Sequence, residues 1–456
     1  VRTDLRLAWL LVRGSDRQEW WRIALTAVGA MCATGLGLAA AALASVRGHY
    51  SFSFGHGLLD DPGERSGVIV ALSLLLVPVL GFLGQCTRIG AVHRDRRAAA
   101  LRLAGTEPGR VRRIVALETG LACLLGSVLA TSVAVPVLLG VWQRPPALAW
   151  AGTALVAVGV PVLGTAAEVL ALRRVVTSPL GWVRRSRPRT GRGPGLTFLG
   201  ALLVVVVAAP LAVASTSAGT TGSRHDLGPL VVFAALLAVG VGTVWLTGTL
   251  SGLTGRLLAA RTGSPAVLIA AERLRDDPWA AARAHAAVLL VTVVGTGFVG
   301  VRQVLLADLE DRRRQGSLAA DTAFYTTGVN LTAAAIGLAL VFVLVALAVG
   351  TAESLATRRR GLAAQVAAGV PRAVLARALL LETALPLAPA TLVAGAGGSA
   401  IGIAYARVAS DGSTGWSVPY AALLVPAGVY AACLLAATAS LPLLRRSVRP
   451  GELRYA

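Results

Sequence analysis

Glu118 and Glu382 are the two acidic residues best placed to do chemistry, because each sits in the triplet Leu-Glu-Thr about one to two turns inside a long apolar run. A carboxylate in such a place can relay protons, coordinate a transported cation, or hold a guanidinium and so pin one helix to another. Both lie near the charged end of their run, where a helix N-terminus and several Arg favour a negative charge, so pinning at the membrane interface is the expected role ahead of transport chemistry. Glu168 and Glu353 also fall near run ends and take the same reading. No apolar run places a carboxylate or His near its middle, as a proton relay would require.

Other chemistries are excluded by residue type. All 43 basic residues are Arg, and a chain without Lys cannot contain a Walker A phosphate loop. There is no HExxH pattern, and the five His (His49, His56, His93, His225, His285) are scattered; His49 and His56 share one loop, where solvated side chains are expected rather than a metal site. Cys32, Cys86, Cys123 and Cys433 all fall in apolar runs without a CxxC or disulfide spacing, and read as packed free thiols. The expectation is therefore no catalytic, cofactor or metal site. The net charge of +21 does not imply nucleic acid, since the Arg residues punctuate apolar runs instead of forming a patch on a soluble face.

The elements that position these residues are membrane spans. Over 456 residues the chain is 55% hydrophobic with a mean hydropathy of +0.71. Its apolar runs reach the ~20 residues that a helix needs to cross the hydrocarbon, which excludes a β-barrel and predicts an all-α polytopic membrane protein. About ten spans are expected, at 21–46, 67–90, 112–141, 147–172, 196–216, 229–253, 284–307, 328–350, 374–403 and 419–444. With the N-terminus inside, 34 of the 43 Arg fall in inside segments, so both termini are expected in the cytoplasm of a plasma-membrane protein. Arg2, Arg6, Arg13 and Arg17 precede a first run too long for a signal-peptide core, so an uncleaved first helix is expected.

The chain also repeats itself. Residues 94–121 and 358–385 match without a gap at 11 of 28 positions, at an offset of 264 residues. The matches include Arg94/Arg358, Arg96/Arg360, Gly105/Gly369, Arg113/Arg377 and the two Leu-Glu-Thr triplets. Self-similarity at a fixed offset marks a duplicated structural unit. Six crossings separate equivalent points, so the copies are parallel and both face the cytoplasm. The expected organisation is a four-span module at 1–172, a basic linker with two connecting spans at 173–253, and a second four-span module at 254–456. The stretch 184–195, RRSRPRTGRGPG, reads as the linker. The longest outside loops, 47–66 and 308–327, are too short for a separate folded sensor domain.

Each copy reads as an elbow. An Arg-led segment with Ala and Leu at helical spacing predicts a short amphipathic helix on the membrane surface. Gly105 or Gly369 follows where a helix C-terminus needs positive φ, and Pro108 or Pro371 then restarts the chain into a span. A rigid body pushing on the surface helix would tilt the span joined to it.

The pattern R-x-R-x-x-A-x-L-R-x-x-G followed by R-x-x-x-x-E, complete in the first copy, resembles the FtsX-like permeases, the membrane subunits of MacB-type ABC transporters. The second copy departs from it, with Gly361 opposite Arg97 and Gln365 opposite Leu101. The segment LIAAERLRDDPWAAAR at 268–283 is similar to the opening of a second module in that family. The resemblance implies that the surface helices are coupling helices seated on a separate ABC ATPase dimer at the cytoplasmic face. Arg94, Arg96, Arg97, Leu101 and Gly105 would belong to one, and Arg358, Arg359, Arg360 and Gly369 to the other. It implies a permease that exports or extracts a hydrophobic or amphipathic compound. Ten-span relatives that sense peptides carry a large extracellular domain where this chain has only 308–327. A non-transporting signal transmitter acting on a cell-envelope enzyme or sensor kinase, and a secondary transporter with parallel repeats, are the other readings. Midplane charges, which a secondary transporter needs, are missing from the sequence.

Overall fold

The computed structural model describes residues 17–46, 48–52, 56–86, 103–142, 145–177, 228–317, 321–409 and 419–442. Every regular element among them is helical. In chain order these are α1 (Arg17–Ser45), α2 (Pro62–Cys86), α3 (Pro108–Val141), α4 (Ala147–Thr177), α5 (Gly228–Arg261), α6 (Pro265–Asp276), α7 (Pro278–Arg314), α8 (Thr322–Thr357), α9 (Arg359–Ala367) and α10 (Arg372–Ala409). A 3₁₀ turn (Tyr420–Leu423) then leads into α11 (Leu424–Ala439). Among the described residues seven helices are long and apolar enough to cross a membrane. Helices stand at nine of the ten expected span positions; the fifth, 196–216, lies outside the described residues, as does the linker 184–195.

Composition explains where the helices start. α2, α3, α6 and α7 each begin on a Pro. At the first helical position the missing N–H would have no partner anyway. The long helices are apolar on all sides, as a span in lipid must be, whereas α6 buries Ala266, Ala270, Ala271 and Leu274 on one face and carries charge on the other.

By contact the chain forms two compact units. The first comprises Val1–Arg184 and Ala320–Thr357, the second Arg185–Ala319 and Arg358–Ala456. This division follows packing, whereas the repeat follows the chain. α8 lies in the second repeat by sequence yet packs against α2, with Phe82 and Phe342 ring centroids 5.5 Å apart. α5, read from sequence as half of a connecting pair, packs against α7 and α10.

Within the first unit α1, α3 and α4 pack on one another, and Gly126 of α3 fits directly on the α1 backbone. Any Cβ there would run into the Ala27 carbonyl and the Met31 amide. The Ser127 hydroxyl donates 2.8 Å to the Ala157 carbonyl of α4, an interhelical bond of the kind that holds helices together where lipid offers no hydrophobic drive. The second unit repeats the scheme with α7 and α10. A Cβ at Gly398 would meet the Val293 carbonyl and the Thr296 Cβ, both at 2.6 Å, and one at Gly402 would come within 3.1 Å of Gly300 Cα. α11 joins this pair, its preceding turn tied to α7 where Gln303 Oε1 accepts the Ala421 N–H at 3.1 Å.

Candidate functional site

Of the second elbow the structure describes the whole backbone. α9 buries Leu362 and Ala363 and exposes Gly361 and Ala364. It ends in a Schellman turn: the Gly369 N–H donates 2.9 Å to the Val366 carbonyl and the Val370 N–H donates 3.0 Å to the Gln365 carbonyl. Gly369 takes φ +91, a conformation L side chains resist, which is the requirement that placed a Gly there. The Pro371 carbonyl then accepts the Val374 and Leu375 N–H groups and opens α10. A helix of 9 residues, a glycine turn and a helix of 38 residues thus run without a break.

Of the first elbow the structure describes the turn and the span. Gly105 has φ +87, and Glu107 stands at the N-cap before Pro108, the first residue of α3. Arg94, Arg96, Arg97 and Leu101 lie outside the described residues, and the side chains of Arg360 and Glu168 are likewise not described.

Each Leu-Glu-Thr carboxylate meets arginine from another helix. In the first unit Arg22 Nη2 of α1 donates to Glu118 Oε1 of α3, with side chains 2% and 4% exposed. In the second, Glu382 of α10 takes two partners. Arg273 Nη1, from the last turn of α6, donates 2.5 Å to its Oε1. Arg358 Nη1, from the N-cap of α9, donates 3.0 Å to its Oε2. Glu382 therefore joins three elements, the amphipathic helix α6, the elbow helix and the span. This node is more open than the first, with Glu382 17% and Arg358 42% exposed.

Guanidinium keeps its proton throughout the physiological range and presents a rigid fork to carboxylate. A carboxylate held this way joins one helix to another. Arg22 and Arg273 were not singled out from sequence, since each lies about a hundred residues from its partner. The one available signal was Arg22 itself, a charge just inside an apolar run that burial would oblige to find an acid. Gln365 has its Oε1 buried with no hydrogen-bond partner among the described residues, at the place where the first copy has Leu101.

A third arginine organises the opposite end of the first unit. Arg65, in the first turn of α2 and 2% exposed, donates to the carbonyls of Leu59 (2.9 Å), Val46 (3.0 Å), Gly48 (3.0 Å) and Asp60 (2.9 Å). The Asp60 carboxylate accepts the Phe52 N–H at 2.9 Å, and Tyr50, Phe52 and Trp142 cluster above it. Gly57 packs 3.8 Å from the Phe324 ring of α8, measured from a Cβ built on it. The α1–α2 loop is thus folded on its own staple. Arg65→Lys, which offers fewer donors from a different geometry, is expected to destabilise it by about 3 kcal/mol, since bonds from a charged donor are worth roughly 1.5–3 kcal/mol each. Hydrogen exchange over 46–60 measures this; protection equal to wild type would show the staple to be dispensable.

No family model matches the sequence, and no curated protein matches it either.

Proposed function

We propose that the chain is the membrane permease subunit of an ABC transporter, coupling ATP hydrolysis by a separate ATPase dimer to export or extraction of a hydrophobic or amphipathic compound. The observation that carries this reading is the elbow at 359–409, a short helix turned by a positive-φ Gly into a long helix whose carboxylate is clamped by arginine, with the Gly turn, the long helix and the Arg–Glu pair recurring in the first copy. Force applied to such a helix reaches the span through backbone and charge together. The motif resemblance to FtsX-like permeases supports the same reading and supplies the ten-span arrangement of two parallel modules. The Arg distribution supports a plasma-membrane protein with both termini and both elbows on the cytoplasmic side. On this reading Arg94, Arg96, Arg97, Leu101, Gly105, Arg358, Arg359, Arg360 and Gly369 form the partner-facing segments, and Glu118 and Glu382 pin them to the bundle.

Reversing the charges of Arg94, Arg96 and Arg97 together is expected to abolish co-purification of an ABC ATPase from the native host. Undiminished recovery of the ATPase would overturn the assignment.

One observation favours the second reading, a signal transmitter acting on a cell-envelope enzyme or sensor kinase. The stapled α1–α2 loop presents a preformed surface at the end of the unit away from the elbow, which an external partner would need. Capture of such a partner by the full chain, lost in Arg65→Lys, would favour it.

A further inference from the structure

The two carboxylate-bearing spans differ at one turn of helix. In α10, Pro386 stands four residues beyond Glu382 and Pro389 four beyond Leu385. A prolyl nitrogen cannot donate to the carbonyl four residues earlier, so the carbonyls of Glu382 and Leu385 lose their helical donors. At the repeat offset of 264 residues α3 carries Ala122 and Leu125, whose N–H groups complete the ladder. Sharp bends in helices occur chiefly at such prolines.

What lies on either side of the break also differs. Beyond it α10 is seated on α7 by Gly398 and Gly402, where backbone meets backbone. Before it α10 buries Leu375 and Ala378 and is joined to α6 and α9 through Arg273 and Arg358, both partly exposed. Between them Leu387 and Ala390 are buried, and the Thr391 hydroxyl donates 3.0 Å to the Leu387 carbonyl, bonding within the helix. In α3 the close approach at Gly126 comes two turns after Glu118, and Glu118 meets buried Arg22. That span has a tight clamp, no proline between clamp and crossing, and its first close contact near the elbow.

We propose that α10 is a hinged lever and Glu382 its latch. With Arg358 engaged, the elbow end of α10, residues 372–385, is held to α6 and α9. When Arg358 withdraws, Arg273 alone ties that end to α6, and its excursions about Pro386 and Pro389 become more frequent while the part from Gly398 onward stays seated on α7. The first repeat has no proline between Glu118 and the Gly126 crossing; its internal Pro136 lies beyond that crossing, so the elbow end of α3 moves with α1. The purpose of the device rests on the coupling reading above, but its motion can be measured without any ATPase, so failure of one leaves the other standing.

The test is amide hydrogen exchange on the full chain in lipid nanodiscs. Arg358→Ala is expected to speed exchange over 376–385 about two- to fivefold, the range an exposed ion pair supports, and to leave 112–121 unchanged. Arg275→Ala, which removes an exposed charge that pairs with Glu272 and does not touch Glu382, is expected to change neither segment. Combining Arg358→Ala with Pro386→Ala or with Pro389→Ala is expected to return exchange to wild type or below. Exchange unchanged in Arg358→Ala, a rise shared equally by 112–121, or a rise that persists in both proline double variants would overturn the proposal.

Discussion

Arg22→Ala lowers the stability of the folded protein by about 3 kcal/mol, because it takes from the buried Glu118 carboxylate a guanidinium that offsets its charge. The measurement is thermal melting of the purified chain in nanodiscs. The double variant Arg22→Met with Glu118→Leu regains most of the loss, since well-packed apolar side chains of similar volume replace a buried ion pair at little cost and often at a gain. If the single variant melts like wild type, the pair contributes nothing to folding. The corresponding change in the second unit, Arg358→Ala, removes a partner that is 42% exposed, and costs only about 0–1 kcal/mol after solvent screening. Identical Leu-Glu-Thr triplets thus have unequal energetics.

The second large effect falls on the helix crossings. Gly126→Val in the first unit, or Gly398→Val in the second, forces apart two helices whose backbones touch, and is expected to cost about 3 kcal/mol, the upper end of what overpacking does in cores. Gly428→Ala in α11 is the matched control. A Cβ there meets nothing within 4 Å, so it gains helix propensity and loses no contact. Melting curves of the three variants in one lipid composition decide the matter. Equal melting of all three would mean that the crossings have slack for a side chain. The two crossings use different residues for the same contact: Gly126 on the Ala27 carbonyl and Met31 amide, Gly398 on the Val293 carbonyl and Gly297 amide. In both, a glycine covers the peptide groups at positions i and i+4 of the neighbouring helix.

What the sequence made legible was local. The glycines at 105 and 369 are readable because positive φ leaves few other choices, and both have it. Prolines at helix starts are readable because only the first turn tolerates them without loss, and Pro108 stands there. The apolar runs are readable because hydrocarbon thickness sets their length. Three features were not. The pairing of Arg22 with Glu118 and of Arg273 with Glu382 joins residues whose separation leaves no periodicity to detect. The association of α8 with α2 rests on Phe82, Phe342 and the turn at Gly57, none of which differs in composition from its surroundings. Arg65 reads from sequence as one more interfacial cation, and only the path of the preceding loop turns four carbonyls toward it.

That loop has a consequence for how the protein can change over generations. All four acceptors of Arg65 are peptide carbonyls, which every amino acid carries, so the staple is blind to the side chains it gathers. Ser51 can be exchanged for other residues while the loop keeps its path, whereas His56 stands at φ +51 and His49 pairs with Asp61 at 2.6 Å. Gly48 and Gly57, with φ of +70 and +84, are the positions that cannot drift. A surface built this way diversifies its chemistry at constant shape, as the variable loops of an antibody do. Among sequences descended from a common ancestor, variation should concentrate between two invariant glycines and one invariant arginine.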